Sequence, residues 1–340
     1  MIKDAIKKIV ERQDLTRQEA AETMDTIMKG EATPSQIAAF ITALRMKGEA
    51  VDEITGCAEK MRQHAININP QSKNLVDTCG TGGDVSGTFN ISTITALVAA
   101  GAGISIAKHG NRSVSSRCGS ADLLEALGVK IDLEPNKVEQ CINEVGMGFI
   151  FAPIFHQAMK FAMPTRKEIG IRTVFNILGP LTNPARANAQ VLGVFHPNLT
   201  EMLAAVLGNL GVKQALVVHG MDGLDEISIC DKTLVSQLKD GKVENYLIKP
   251  EDLGIKRAKR EEILGGSVEE NVEITYKILT GKEKGPKRDI VLVNAAAAIY
   301  VGGKSKDLKA GIKIASDSIE SGAANKKLEE LIACTSKLKN

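Results

Sequence analysis

Apolar residues in the opening segment recur at helical spacing. Ile2, Ala5, Ile6, Ile9 and Val10 share one face of a helix. Thr16-Arg17-Gln18-Glu19 has the form of a capping box that opens the next helix. Thr33-Pro34 sets an N-cap before a proline at the first helical position, and Gly48 stops that helix. A fourth helix is expected over 51–64. Residues 65–74 show no period and read as a linker. The pattern then changes. Short apolar runs at 75–77, 103–107, 149–151, 191–194, 214–218 and 243–248 read as strands, with helical stretches between them. Helices return at 290–302, 308–321 and 326–338. Strand–helix alternation argues for an α/β unit with a mostly parallel central sheet flanked by helices. The expected division is a helical domain over 1–72 and an α/β domain over 73–340.

Composition narrows the classes of function. A chain of 340 residues has room for about two domains. Lys and Arg total 43 against 41 Asp and Glu, and aromatics are 3% with no Trp. A net charge of +2 and so few stacking rings argue against a nucleic-acid binder or a membrane-surface binder. The six cysteines form no CxxC pair, which removes the usual zinc and thioredoxin motifs and fits a reducing, cytoplasmic setting. The amphipathic start lacks a signal-peptide core. The longest apolar stretch, 91–107, is interrupted by Ser, Thr and Gly and falls short of a membrane span.

Five segments carry candidate chemistry. Asp77-Thr78-Cys79-Gly80-Thr81-Gly82-Gly83-Asp84 follows a strand, and its glycines let backbone N–H groups approach an oxyanion. It is neither a dinucleotide fingerprint, since Val85 stands where Gly is needed, nor a Walker A loop. Gly303-Lys304-Ser305 is a decoy, because Ala298 replaces the required glycine. Thr88-Phe89-Asn90-Ile91-Ser92-Thr93 opens a helix with polar side chains, and a helix N-terminus favours anions. The Ser92 hydroxyl also suits a hard cation. The polar loop from Lys108 to Ser120 follows the second strand. Its Lys108 and Arg112 can neutralise phosphate, and Ser115, Ser116 and Ser120 can donate hydrogen bonds. Asp225 and Glu226, after a strand, suit Mg²⁺, which takes few protein carboxylates and keeps substrate phosphates in its shell. Arg166 can grip a carboxylate if it faces the cleft. Gly179–Pro184 reads as an architectural turn, and His156 as either a packed ring or a ligand contact. No Ser-His-Asp, Cys-His or paired-carboxylate array has suitable spacing.

Taken in order, these segments resemble the anthranilate phosphoribosyltransferase family over nearly the whole chain. The matching stretches are Gly80-Thr81-Gly82-Gly83-Asp84, Asn90-Ile91-Ser92-Thr93, Lys108-His109-Gly110-Asn111-Arg112-Ser113, Gly119-Ser120, Arg166, Gly179–Pro184 and Asp225-Glu226-Ile227-Ser228. The resemblance implies a small helical domain, joined by part of 160–190, hinged to a larger α/β domain. It implies phosphoribosyl pyrophosphate (PRPP) as donor, anthranilate as acceptor, two Mg²⁺ ions and a homodimer formed through the helical domain. Gly80, Gly83, Asp84, Thr88, Asn90, Ile91, Ser92 and Thr93 would then hold the donor. So would Lys108, His109, Gly110, Asn111, Arg112, Ser113, Val114, Ser115, Ser116 and Ser120. Gly80, Asn111 and Arg166 would hold anthranilate, and Ser92, Asp225 and Glu226 the metal. Two rivals remain open at this point: a pyrimidine nucleoside phosphorylase, and a non-enzymatic relative that binds nucleic acid.

Overall fold

The structure is a computed structural model that describes residues 1–83, 86–113 and 117–338. It opens with four helices, α1 (Ile2–Val10), α2 (Arg17–Met28), α3 (Pro34–Lys47) and α4 (Val51–His64). Both sequence-visible caps form: Thr16 accepts from the Glu19 N–H, and Thr33 from the Gln36 N–H. The connections are pinned by a carboxylate the pattern does not reveal. Glu53, wholly buried on α4, accepts from the Leu15 and Ala50 N–H groups and from Lys47 Nζ at 2.9 Å.

The α/β part follows as β1 (Leu75–Gly80), α5 (Ile91–Gly101), β2 (Ser105–Gly110), α6 (Ser120–Ala126), α7 (Pro135–Val145) and β3 (Met147–Phe151). Three short helices come next, α8 (Ala152–Phe155), α9 (Met163–Ile169) and α10 (Phe175–Leu178). Then come β4 (Ala189–Gly193), α11 (Leu199–Asn209), β5 (Gln214–Gly220), β6 (Thr233–Lys239) and β7 (Lys242–Ile248). Four helices close the chain, α12 (Val268–Leu279), α13 (Pro286–Val301), α14 (Leu308–Glu320) and α15 (Ala323–Lys337).

The seven strands form one sheet in the order β3-β2-β1-β4-β5-β6-β7. Pairing is parallel from β3 to β5 and antiparallel from β5 to β7. Period-two alternation sorts its side chains. Val191, Leu216 and Val218 join the large core under α5 and α13, while Leu192, Ala215 and Val217 join the core of the helical part. One apolar core therefore runs from α1 through Phe175–Leu181 to the sheet.

Two details differ from expectation. The strand β6 is absent from the pattern reading because its run, Thr233-Leu-Val-Ser-Gln-Leu-Lys, mixes polar and apolar positions without clean alternation. Its turn carried the better signal. Asp240 and Gly241, at φ 49 and 74, join β6 to β7 as a two-residue hairpin that needs positive φ at both positions. The second correction concerns β2. It extends past its apolar run, so Lys108, His109 and Gly110 lie on the strand end, paired with Phe149, Ile150 and Phe151, and not in a loop. The strand can carry a lysine inward because buried oxygen atoms receive the amine.

Candidate active site

Parallel strands place their following loops at one edge, where ligands bind in open α/β sheets. Here β1, β2, β4 and β5 end at Gly80, Gly110, Gly193 and Gly220. Past Gly80 the chain turns through Gly82 and Gly83, at φ 68 and 74. The Thr81 N–H donates to Gly193 O at 2.9 Å, and the Phe195 N–H donates to Thr81 Oγ1 at 3.1 Å, so the loop is fastened to the end of β4. The acidic segment reaches the same place. Asp225 Oδ2 accepts from the Gly82 N–H at 2.8 Å. A Cβ on Gly80 would strike that carboxylate, and one on Gly193 would strike the Asp225 carbonyl. The glycines are thus required by close approach as well as by φ.

Asn90 caps α5, accepting from the Thr93 N–H at 3.3 Å. Its own N–H donates to Asn271 Oδ1 at 2.8 Å. Ile91 is buried behind it, and Thr88 sits beside Ser86, their hydroxyls 3.1 Å apart. Lys108 is 1% exposed, and its Nζ donates to Thr78 O at 2.6 Å and to Ser92 Oγ at 3.1 Å. Burial lowers its pKa, and the charges of Asp77 and Glu226 oppose that shift, which places Glu226 within electrostatic reach of the amine. Asp77 lies beneath the loop, buried, its pKa pushed up to about 6 by desolvation against the pull of Asn183 and Lys108. Asn183 Nδ2 donates to Asp77 Oδ2 and to Ala107 O, both at 2.8 Å, tying the Gly179–Pro184 turn to the floor of the site.

The third loop folds onto α6. Asn111 O accepts from the Ala121 N–H and from Ser120 Oγ, each at 3.2 Å, and a Cβ on Gly110 would meet Ser120 Oγ. Ser113 donates its N–H to Asp122 at 3.0 Å. Arg112 has partners within the protein. Its guanidinium pairs with Asp122 at 3.0 Å and Glu125 at 2.7 Å and lies over the Phe151 ring, so its charge is met within the protein. Asp122 and Glu125 share one face of α6, three residues apart, which makes them a ready partner. Asp84, Val114, Ser115 and Ser116 lie outside the described residues.

Arg166 projects from α9. It rests against Met163 Sδ at 3.4 Å and over the Phe175 ring at 5.1 Å, and it has no ion pair among the described residues. Burial alone lowers its pKa. Its segment is joined to the glycine loop by Arg172, which donates to the Gly83 carbonyl and stacks on Phe195 at 4.4 Å. His109 and His156 face each other, ring centroids 5.1 Å apart, against the backbone of Gly179 and Thr182. Burial holds both rings neutral, His156 with a pKa of about 4, and neither Nε2 has a partner among the described residues. His219, by contrast, meets Val194 O at 2.7 Å and is structural. Arg172, Asp77 and Asn183 were not singled out as site residues from sequence. The signal available was a lone arginine inside the run Ile171–Phe175, an Asp on the strand that leads into the glycine loop, and an Asn between Thr182 and Pro184.

No group of three or more His, Cys, Asp or Glu side chains placed to hold a metal stands among the described residues. Asp225, Glu226 and the Ser92 hydroxyl instead offer a sparse set of hard oxygens around an anion-binding loop. That set fits magnesium, which completes its shell with water and phosphate.

Glycine-rich loops at the carboxyl edge of a parallel sheet, with an acidic segment fastened to one of them, define an α/β enzyme of the kind that handles a phosphorylated ligand. Residues 3–65 match the glycosyl transferase family, helical bundle domain, and residues 72–325 match the glycosyl transferase family, a/b domain. The anthranilate phosphoribosyltransferase of Desulfosudis oleivorans is 56% identical over 98% of this chain and 99% of its own length. That of Acetivibrio thermocellus is 56% identical over 98% and 97%. The crystal structure of the Thermus thermophilus enzyme superposes with a TM-score of 0.93 at 45% identity, covering 98% of this chain and 99% of that one. The Saccharomyces cerevisiae enzyme in complex with PRPP and Mg gives 0.90 at 28% identity, covering 99% and 98%. The chain belongs to this glycosyl transferase family, and within it to the anthranilate phosphoribosyltransferases. These matches support neither the nucleoside phosphorylase reading nor the nucleic-acid reading.

Proposed function

We propose that this protein transfers the 5-phosphoribosyl group of PRPP to the amine of anthranilate, giving N-(5-phosphoribosyl)anthranilate and pyrophosphate in tryptophan biosynthesis. The observation that carries the reading is the junction of Asp225 with the Gly82 N–H, which brings an acidic, metal-binding type of segment onto an anion-binding loop.

Cleavage at the anomeric carbon builds positive charge on the ribose and negative charge on the departing pyrophosphate. Gly80 and Gly83, the N-terminus of α5, Thr88, Asn90 through Thr93, Lys108 through Ser113 and Ser120 would cradle the donor and meet that negative charge. Asp84 and Val114 through Ser116 complete the proposed set. Two magnesium ions, held by Ser92, Asp225 and Glu226, would supply further neutralisation of the phosphates. Arg166, with Asn111 and Gly80, would hold anthranilate by its carboxylate. A half-buried guanidinium without an ion pair is the group such a ligand satisfies. The aromatic amine already carries a lone pair and is neutral at pH 7, so alignment replaces base catalysis. Holding two substrates in line is worth about 7–11 kcal/mol in favourable cases.

A hinge between the helical part, 1–72 with a portion of 160–190, and the rest would close over the substrates and exclude water. The helical part would also form a homodimer. Supporting this, Val10 on α1 and Met46 on α3 are 68% and 74% exposed. No helix among the described residues is long and apolar enough to cross a membrane, and we place the protein in the cytoplasm. The deciding assay follows anthranilate fluorescence with PRPP, with and without Mg²⁺. Signal loss that needs donor and metal together is expected; a folded protein that leaves anthranilate untouched overturns the reading.

A further inference from the structure

Helices α7 and α15 pack side by side at the flank of the sheet. Cys141 on α7 and Cys334 on α15 are 193 positions apart in sequence, yet their Sγ atoms stand 3.3 Å from each other. Both are free thiols. A disulfide requires about 2.05 Å, so closure needs a movement of roughly one ångström between two helices. Their surroundings are unequal. Cys141 is 1% exposed. Cys334 is 8% exposed and lines a surface cavity of about 390 Å³, together with Gln140, Glu144, Glu330 and Lys337. Cys334 thus borders the cavity, its Sγ 3.9 Å from Glu144 Oε2, and Cys141 stands behind it.

We propose that this pair is a thiol-modification site, at which a peroxide entering the cavity converts Cys141 and Cys334 into a disulfide that ties α15 to α7. The Cys334 thiolate attacks one peroxide oxygen. An S–O bond forms, the O–O bond breaks, and the leaving hydroxide takes up a proton as water. Cys334 is then a sulfenic acid, oxidised by two electrons. Cys141 loses its proton and attacks the Cys334 sulfur. The S–S bond forms, the S–O bond breaks, and the second water leaves. Two thiols have lost two hydrogens and one peroxide has become two waters.

The order follows from exposure. Burial, the Cys334 sulfur and the Glu144 charge hold the Cys141 thiol above its ordinary pKa, so Cys141 suits the resolving role. The cross-link closes a long loop, which restricts the unfolded chain. Because α15 also packs against α5, the tie reaches the helix that carries Ser92.

The test treats the full-length protein with hydrogen peroxide at about pH 8. Expected are a mass lower by about 2 Da, a Cys141–Cys334 peptide in a non-reducing map, and a melting temperature raised on the order of 5 °C, all reversed by dithiothreitol. In Cys141→Ser the disulfide is lost, and oxygen adducts about 16 or 32 Da heavier collect on Cys334. If that variant does not fold, the wild-type map decides. Two free thiols after treatment, a disulfide to any other cysteine, or a formed disulfide with an unchanged melting temperature overturns the proposal.

Discussion

Asp225 Oδ2 accepts a hydrogen bond from the Gly82 N–H at 2.8 Å across 143 positions of sequence. The contact fixes how the cleft is assembled. The loop after β1 supplies the amide and the loop after β5 supplies the carboxylate, and they meet because Gly80 and Gly193 leave room. A carboxylate held against an anion-binding loop would repel phosphate on its own, so this arrangement makes chemical sense with a cation between them.

Replacing Asp225 by Asn and Glu226 by Gln keeps size and removes the charge. Turnover is expected to fall by about a hundredfold or more, and the magnesium titration to move to higher concentration. Steady-state rates across a magnesium series measure both. An unchanged titration would reduce the two carboxylates to a surface turn.

Gly80→Ala puts a methyl group where the Asp225 carboxylate now lies. The carboxylate must shift away from Gly82. We expect kcat/KM for PRPP to drop by about tenfold or more, with overpacking costing about 1–3 kcal/mol of stability. Wild-type kinetics in this variant would show that the junction does not matter to the donor.

Arg166→Ala removes the half-buried guanidinium on α9. A charge-assisted pair is worth about 1.5–3 kcal/mol, so KM for anthranilate should rise about 10- to 100-fold while KM for PRPP stays within about twofold. Equal weakening of both substrates would move Arg166 out of the acceptor site.

The buried histidines set an acid limit on stability. Burial lowers His156 from 6.5 to about 4 and drives His109 down as well. Between those values the unfolded chain binds more protons, so stability is lost as pH falls from 6.5 to about 4. Asp77 acts in the opposite direction. Its pKa is raised to about 6, so its contribution is present at low pH and lost as pH rises through that value. His156→Asn removes one histidine term and leaves Asp77 in place. Denaturant unfolding across this window should therefore show a shallower pH dependence, by up to about 3 kcal/mol. An identical slope would mean that His156 titrates alike in the folded and unfolded chain.

Much of the architecture was legible along the chain. Helix caps at Thr16 and Thr33, the glycines after β1 and the polar start of α5 all act within a few residues, so local spacing reveals them. The run of seven matching stretches in family order also sufficed to place the chain among its relatives. What the pattern could not supply was partnership. Whether Arg112 faces a ligand or Asp122 and Glu125 depends on where α6 packs. Whether Asn183 is a turn residue or the support of Asp77 depends on β1 and β2 lying side by side. Lys108 reads as a loop cation in one dimension, and in three it is a buried strand residue between Thr78 O and Ser92 Oγ.

The sequence alone therefore determined the α/β class, most of the helices and strands though not β6, and residue types suited to phosphate and metal, because those depend on local spacing and intrinsic chemistry. Only the tertiary structure decided which loops share an edge, that Arg172 joins the glycine loop to the segment of Arg166, and that Cys141 and Cys334 touch. Those facts depend on strand order and helix packing, and contacts between residues so far apart in the chain leave no period in it.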